Sequence, residues 1–146
     1  MIPENKLVCI LLIDDSPDDV FLTLEAFKRG TKIRQFHVVE DGLEAIYFLR
    51  KQGKYKNVPR PDLILLDLNL PKKNGKEVLV EIKKDNALKN IPVIILSTST
   101  DWKDIESTYK LNANCYISKP SDFEMFIQVT QSIENFWFNT VSLPKN

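Results

Sequence analysis

Five short runs of hydrophobic residues recur along the chain, and each is bounded by charged or polar residues. They are KLVCILLI at 6–13, QFHVVE at 35–40, DLILLD at 62–67, IPVIILS at 91–97 and CYIS at 115–118. Continuous apolar runs rich in branched residues are typical of strands that are buried on both faces. The second and fifth runs are shorter and more mixed, which favours positions nearer the edges of a sheet.

Helical patterns separate these runs, because apolar residues recur there at spacings of three and four. The predicted helices cover residues 18–29, 42–51, 75–84, 102–111 and 121–138. Strict alternation of strands and helices implies right-handed crossovers, and therefore a parallel sheet with helices on both faces. The sequence thus predicts a five-stranded, doubly wound α/β domain.

The composition fits one globular domain of 146 residues, with 43% hydrophobic and 27% charged residues. Twenty basic and twenty acidic residues balance, which gives no indication of nucleic-acid binding. No apolar stretch approaches the ~20 residues that cross a bilayer, and acidic residues follow the N-terminus too soon for a signal peptide. We expect a single cytoplasmic domain over residues 1–146, with a short C-terminal extension from about residue 139 and no contact with nucleic acid or membrane.

Charged and hydroxyl side chains end four of the predicted strands. Asp14 and Asp15 follow the first strand, Asp67 the third, Ser97 the fourth and Lys119 the fifth. Ligands of doubly wound sheets bind outside the carboxyl ends of the strands. We therefore expect three carboxylates, a hydroxyl and an ammonium group to meet at this edge of the sheet.

Such a cluster favours a metal ion and a phosphoryl group. Three carboxylates about 5 Å apart repel one another by roughly 3 kcal/mol per pair at an effective dielectric near 20, and a divalent cation removes that conflict. Oxygen ligands in an open site favour Mg²⁺, with Mn²⁺ as an alternative. Because neither histidine nor cysteine is near in sequence, Asp67 is the candidate nucleophile for an aspartyl phosphate. Lys119 and Ser97 can then stabilise the phosphoryl oxygens.

Each of these residues also has a simpler interpretation. Asp14 and Asp15 could start a helix, Asp67 could start a loop, Lys119 could be a solvated lysine, and Ser97 could be a strand-terminal hydroxyl. Their joint arrival at one edge of the sheet favours the chemical interpretation.

The remaining acidic residues of LLIDDSPDD have a local explanation. Ser16 fits an N-cap and Pro17 the first helical position, so Asp18 and Asp19 fall in the first turn, where carboxylates offset the helix dipole. We predict that Asp18 and Asp19 serve to start the helix.

The segments LLIDDSPDD, LILLDLNLPKKNG, PVIILSTS and NCYISKP together resemble the receiver domain of response regulators in two-component signalling. The resemblance covers essentially the whole chain and implies a flavodoxin-like strand order of 2-1-3-4-5. The segment DLILLDLNLPKKNG, the loop at 52–61 and the aromatic tail ENFWFNTVSLP look most like single-domain regulators that partner phytochrome-type histidine kinases.

The resemblance implies a phosphoacceptor site with a bound cation. Asp67 would accept the phosphoryl group from a kinase histidine. Mg²⁺ would be held by Asp15, Asp67 and the backbone carbonyl of Asn69, with Asp14 assisting through water. Lys119 would pair with the acceptor or with the phosphoryl group.

The resemblance also implies a conformational switch made by Ser97 and Tyr116, and a cis peptide bond between Lys119 and Pro120. It implies a regulator that signals through its own surface and is no enzyme, beyond slow self-dephosphorylation. The alternative is a non-phosphorylated interaction scaffold with the receiver fold. A phosphatase of the haloacid-dehalogenase type fits less well. Such an enzyme has its nucleophilic Asp on the first strand and a second carboxylate two residues later, whereas Asp14 and Asp15 are adjacent.

The aromatic residues of the last predicted helix leave two alternatives open. Phe123, Phe126, Phe136, Trp137 and Phe138 provide more aromatic bulk than one stripe against a sheet requires. Part of it could form an exposed patch that pairs two copies of the chain, or the rings could fold back over the domain's own core.

Overall fold

The computed structural model describes residues 8–30 and 34–144, and within these ranges every predicted strand and helix is present. The strands are β1 (Val8–Ile13), β2 (Arg34–Val39), β3 (Leu63–Leu66), β4 (Val93–Ser97) and β5 (Cys115–Ser118). The helices are α1 (Pro17–Phe27), α2 (Gly42–Leu49), α3 (Gly75–Lys84), α4 (Trp102–Lys110) and α5 (Phe123–Ile133). The predicted first strand began earlier, and its residues Lys6 and Leu7 lie outside the described ranges.

The strands form one parallel sheet in the order β2-β1-β3-β4-β5 across the described ranges. This confirms the predicted doubly wound fold and its strand order. Every residue of β1, β3 and β4 is buried, which explains why their sequences are continuous apolar runs without alternation.

Two hydrophobic clusters lie on opposite faces of the sheet. On β1, Leu11 and Ile13 belong to the cluster that includes residues of α2 and α3. Ile10 and Leu12 point the other way, into the cluster that includes Phe27 of α1 and residues of α5. Successive strand residues therefore serve opposite faces, and both faces are covered by helices. Among the described residues, no helix is both long and apolar enough to cross a bilayer.

The chain after Ile133 differs from the prediction of one helix over 121–138. Helix α5 ends at Ile133, and residues Glu134–Thr140 form a π-helix. The hydrogen bonds of a π-helix join residues that are five apart. Ile133 and Phe138 have this spacing, and both pack in the cluster that contains Phe27. Phe136 remains 51% exposed. The aromatic tail thus packs in part on the domain's own core and in part faces solvent.

Helix α3 begins close to the end of β3, because Gly75 lies directly against its backbone. A Cβ atom at Gly75 would stand 2.3 Å from the carbonyl oxygen of Asp67 and 2.6 Å from the Cα atom of Leu68. The Gly75 amide also donates to the Leu68 carbonyl at 2.9 Å. Glycine therefore permits a helix-to-strand contact that holds the segment carrying Asp67.

Gly75→Ala is expected to lower the free energy of unfolding by about 2 kcal/mol or more, because the added methyl group forces the backbone of residues 67 and 68 away from α3. Urea denaturation measures the change. Gly53→Ala is the control, since Gly53 has a positive φ of 59° but open space around its Cα, and it should cost only about 1 kcal/mol. Equal costs for the two variants would contradict the steric argument.

Candidate functional site

Backbone hydrogen bonds of the sheet continue one residue beyond three of the strands. The amide of Asp14 donates to the Val39 carbonyl at 3.1 Å, and the amide of Asp67 donates to the Ile13 carbonyl at 3.0 Å. The amide of Lys119 donates to the Ser97 carbonyl at 2.7 Å. The sheet itself therefore positions these residues, and little is left to loop conformation.

The structure brings Asp14, Asp15 and Asp67 together, and we call these three residues the acidic site. Each offers a carboxylate oxygen, and these oxygens lie within 4.8 Å of one another. Asp14 and Asp67 are buried, whereas Asp15 is exposed. An oxygen-only set that is open on one side suits a hard divalent cation that keeps some of its water ligands. The residues present therefore fit Mg²⁺ or Mn²⁺.

Lys119 reaches into the acidic site with a side chain that is only 2% exposed. Its Nζ atom lies 2.8 Å from Asp14 Oδ2, 2.8 Å from Asp19 Oδ2 and 3.1 Å from Asp67 Oδ2. Burial alone would lower the pKa of Lys119, but the hydrogen bonds with Asp14 and Asp19 and the charges of Asp14 and Asp67 raise it above its ordinary value. Lys119 is therefore a cation at neutral pH and not a solvated surface lysine.

Asp14 is held at both of its carboxylate oxygens. Oδ1 accepts a hydrogen bond from the Ser16 amide at 3.0 Å, and Oδ2 accepts one from Lys119. Burial raises the pKa of Asp14, and the negative charge of Asp67 adds to that effect, while the hydrogen bonds from Lys119 and Ser16 oppose it. This site concentrates negative charge that one lysine only partly offsets.

Asp19 belongs to this site, although its place in the first turn of α1 already accounts for an acidic residue there. Ser16 does cap the first helix, since its Oγ accepts from the Asp19 amide at 3.3 Å, and Pro17 does begin α1. Asp18 and Asp19 lie in the first turn as predicted. However, the side chain of Asp19 also binds Lys119, so starting the helix is an incomplete description of this residue.

Asn69 and Pro120 flank the site in the two adjoining loops. The Asn69 amide donates to Asp67 Oδ1 at 3.4 Å, so this loop folds back toward the carboxylate. The peptide bond between Lys119 and Pro120 is trans, since the described residues contain no cis peptide bond. The cis bond implied by the resemblance is therefore wrong for this structure, which has the isomer that X–Pro bonds generally prefer.

Ser97 and Tyr116 both make hydrogen bonds to Ser99 in the loop between β4 and α4. The buried Ser97 Oγ accepts from the Ser99 amide at 3.4 Å, and the Tyr116 hydroxyl donates to the Ser99 carbonyl at 2.8 Å. The half-buried ring of Tyr116 packs on the core cluster that contains Ile13. The two residues predicted to form a switch are therefore linked through a third residue that the sequence did not single out.

Ser99 also connects this loop to α3 and α4. Its hydroxyl donates to Asp104 Oδ2 at 2.7 Å, and Lys76 Nζ of α3 donates to Asp104 Oδ1 at 2.7 Å. The hydrogen bonds from Lys76 and Ser99 lower the pKa of Asp104. Nothing in the sequence marks these contacts. Asp104 is 5 residues from Ser99 and 28 residues from Lys76, and all three are ordinary polar residues.

The lowered pKa of Asp104 makes its contribution to stability dependent on pH. That contribution is fully present above the ordinary Asp pKa and is lost as the pH falls through the lowered value. The difference in free energy of unfolding between wild type and Asp104→Asn should therefore shrink between about pH 6 and about pH 3. Urea denaturation across this range tests the expectation. The control is Glu106→Gln, which removes an exposed ion pair with Lys110 on the same helix. A difference in free energy of unfolding between wild type and Asp104→Asn that stays constant with pH would contradict the expectation.

The chain belongs to the family of response regulator receiver domains, whose family model matches residues 10–131. This match confirms the predicted family and fold. It also confirms the predicted function, because receiver domains of this family are phosphoacceptor response regulators of two-component signalling.

Its relatives include regulators of phytochrome signalling. The chain is 48% identical to the response regulator Rcp1 of Synechocystis sp., in an alignment that covers 97% of this chain and 96% of that protein. It superposes on the phosphorylated cyanobacterial phytochrome response regulator RcpA with a TM-score of 0.92 and 47% identity, covering 96% of this chain and all of the other. The Mn²⁺-bound form of Rcp1 matches with a TM-score of 0.89 and 47% identity, over 94% of this chain and 99% of that one.

Proposed function

We propose that Asp67 is the phosphoacceptor of this protein and receives its phosphoryl group from a histidine kinase. One observation carries the proposal: the buried ammonium group of Lys119 lies 3.1 Å from Asp67 Oδ2, in the same site as Asp14 and Asp15. A nucleophilic carboxylate, a fixed cation and a place for a divalent metal are the parts that phosphoryl transfer to an oxygen nucleophile requires.

The reaction forms one bond and breaks another. A carboxylate oxygen of Asp67 attacks the phosphorus atom of a phosphohistidine, the P–N bond breaks, and its electron pair remains on the imidazole nitrogen. Lys119 can then transfer its hydrogen bond from Asp67 Oδ2 to a phosphoryl oxygen, and the Ser97 hydroxyl can donate to another. Both contacts stabilise charge that develops on the phosphoryl oxygens.

We propose that Asp15, Asp67 and the backbone carbonyl of Asn69 hold Mg²⁺, with Asp14 acting through a water molecule and Mn²⁺ as an alternative ion. The closeness of the three carboxylates and the Mn²⁺-bound form of the relative Rcp1 support this assignment. When bound, the cation offsets the charge of the carboxylates and of the phosphoryl group. Asp14 is further constrained by its contact with Lys119.

Ser97 and Tyr116 are our candidates for the switch that reports phosphorylation. If Ser97 turns its hydroxyl toward the phosphoryl group, the hydrogen bond that it accepts from Ser99 is strained or lost. The Tyr116 hydroxyl is attached to the same residue, so movement of Ser99 frees the ring to change its position. A local charge change would thus be passed to the surface formed by α4 and β5.

The alternative, a scaffold that is never phosphorylated, explains the site less well. Burying a carboxylate or an ammonium group costs several kcal/mol, and well-packed apolar residues would be equally stable or more so. A scaffold has no use for the buried Asp14, Asp67 and Lys119. The presence of these charges therefore favours a chemical role.

Incubation with acetyl phosphate separates the two functions. We expect the intact protein to gain the mass of one phosphoryl group in the presence of Mg²⁺, and to stay unmodified when EDTA replaces the metal from the start of the incubation. A protein that remains unmodified at saturating Mg²⁺, while its circular dichroism shows a folded domain, would favour the scaffold.

We propose a phytochrome-type histidine kinase as the partner, supported by the similarity to RcpA and Rcp1. Phosphotransfer rates from such a kinase and from an unrelated histidine kinase would test the pairing. A faster rate from the unrelated kinase would contradict it.

We also propose that two copies associate through the C-terminal helix region, supported by the exposed Phe136 and Met125. Sedimentation of the unmodified and phosphorylated protein over a range of concentrations is expected to show a dimer in at least one form. A monomer at all concentrations in both forms would contradict the dimer.

We propose that the protein acts in the cytoplasm as one receiver domain, without binding nucleic acid or membranes and without enzymatic activity beyond slow loss of its own phosphoryl group. The balance of acidic and basic residues supports the absence of nucleic-acid binding.

A further inference from the structure

Asp19 contributes a fourth carboxylate to the surroundings of Lys119 and Asp67. Its Oδ2 atom lies 2.8 Å from Lys119 Nζ, which equals the distance from Nζ to Asp14. The Asp19 side chain is 27% exposed, compared with 1% for Asp14 and 8% for Asp67. Asp19 therefore binds the buried ammonium group from the solvent side of the site.

The hydrogen bonds of Lys119 explain what this contact can do. An ammonium group has three N–H donors, and in the described part of the chain the three carboxylates of Asp14, Asp19 and Asp67 each accept one. When a phosphoryl group is attached to Asp67, the N–H group of Lys119 that binds Asp67 can turn toward a phosphoryl oxygen. The other two donors remain on Asp14 and Asp19 and hold the ammonium group in place.

The charge of Asp19 acts on the two ligands of the site in opposite directions. A carboxylate beside the acidic site attracts a divalent cation, because the two charges have opposite signs. The same carboxylate repels a phosphoryl group, and it also offsets part of the Lys119 charge that would otherwise attract that group. Asp19 thus strengthens binding of the metal ion and weakens binding of the phosphoryl group at the same site.

We propose that Asp19 is a positioning residue that fixes Lys119 and, through its charge, strengthens metal binding while weakening the hold on the phosphoryl group. This inference rests on the proposed function of Asp67 as phosphoacceptor. It assigns Asp19 a role beyond starting α1, because the backbone and dipole interactions of that turn do not require a contact with Lys119.

Asp18 provides a matched control in the same turn of α1. It is acidic, exposed and adjacent to Asp19 in sequence, so its loss has a similar effect on the helix dipole and on the net charge. Within the described ranges, Lys119 pairs with Asp19 and not with Asp18. The variants Asp19→Asn and Asp18→Asn therefore differ mainly in the contact with Lys119.

The experiment measures two dissociation constants for each variant. Mn²⁺ binding is followed by the electron paramagnetic resonance signal of the free ion, and beryllofluoride, a phosphoryl mimic, is titrated at saturating Mg²⁺. Asp19→Asn is expected to weaken Mn²⁺ binding about ten- to hundredfold, as one charge about 6 Å from a divalent ion produces at a dielectric between about 40 and 80. The same change should strengthen binding of the singly charged beryllofluoride about three- to tenfold. Asp18→Asn should change each constant by less than about twofold, since exposed charges at longer range are screened.

A second variant separates the charge of Asp19 from its hydrogen bond. Asparagine keeps a side-chain oxygen that can accept from Lys119, whereas alanine removes both the charge and the acceptor. Asp19→Ala should therefore bind beryllofluoride less tightly than Asp19→Asn does, because Lys119 has lost one of its two anchors. Equal affinities of these two variants would overturn the positioning role.

The outcomes distinguish this inference from the proposed function. Opposite shifts in the two constants for Asp19→Asn, absent in Asp18→Asn, support the inference, since a general loss of structure would weaken both. Shifts in the same direction, or values equal to those of Asp18→Asn, overturn it while the wild-type adduct still supports the phosphoacceptor. Failure of wild type to bind beryllofluoride in Mg²⁺ would overturn both proposals.

Discussion

Asp67→Asn is expected to abolish phosphorylation by acetyl phosphate, lowering its rate by at least about a thousandfold. Asparagine occupies nearly the same volume but has no carboxylate oxygen that can form a stable bond to phosphorus. The change also removes one negative charge from the acidic site and one partner of Lys119. The measurement is the mass of the intact protein as a function of time in Mg²⁺ and acetyl phosphate.

Asp62→Asn is the control for this variant, because Asp62 and Asp67 flank opposite ends of β3. The carboxylate of Asp62 accepts from the Cys9 amide at 3.0 Å, at the end of the sheet away from the acidic site. This variant should be phosphorylated at a rate within about threefold of wild type. Phosphorylation of Asp67→Asn at the wild-type rate would show that another residue is the acceptor.

Lys119→Met is expected to lower the free energy of unfolding by about 3–5 kcal/mol in EDTA, since it leaves buried carboxylates without their cation. The pKa of Asp14 is already raised by burial, and the loss of Lys119 removes the main interaction that opposes this rise. Mg²⁺ should stabilise the variant more than it stabilises wild type, because the cation then replaces the missing ammonium charge. Urea denaturation in EDTA and in Mg²⁺ measures both effects.

Lys83→Met is the matched control, since the ammonium group of Lys83 is also partly buried. Burial lowers the pKa of Lys83, and its Nζ atom donates to neutral acceptors, which are the Asn114 side chain at 3.1 Å and the carbonyls of Lys89 and Ile91 at 3.4 and 3.5 Å. Its loss should destabilise the fold by about 1–3 kcal/mol with no added response to Mg²⁺. Equal Mg²⁺ responses in the two variants would contradict the charge argument for Lys119.

The parts of the fold that rest on repeating patterns were predictable. The apolar runs of β1, β3 and β4 are continuous because both faces of the sheet are covered, and alternation with helices then specifies a parallel sheet. Because parallel strands end at one edge, the residues that follow them had to meet. The sequence alone therefore predicted the proximity of Asp14, Asp67 and Lys119.

Contacts that depend on the reach of individual side chains could not be predicted. Asp19 already has a local reason to occupy the first turn of α1, so its contact with Lys119 leaves no separate mark in the sequence. The link from Ser99 through Asp104 to Lys76 joins two helices and a loop whose relative rotation no periodicity specifies. Such contacts depend on the three-dimensional position of each side chain.

The C-terminal aromatic residues are a third case, in which the sequence allowed either folding back onto the core or an exposed patch. Phe138 is buried beside Ile133, which matches folding back onto the core. Phe136 and Met125 remain about half exposed, and the pairing of two copies stays a prediction. The π-helix decides which ring points inward, and hydrophobic periodicity at the α-helical spacing could not have indicated it.

A crystal structure of the protein with Mg²⁺ and beryllofluoride tests the central claim most directly. We predict beryllium bound to a carboxylate oxygen of Asp67, the metal between Asp15 and Asp67, and Lys119 Nζ within hydrogen-bonding distance of a fluoride. Beryllofluoride bound elsewhere, or a Lys119 side chain directed into solvent, would contradict the assignment of Asp67 as the phosphoacceptor.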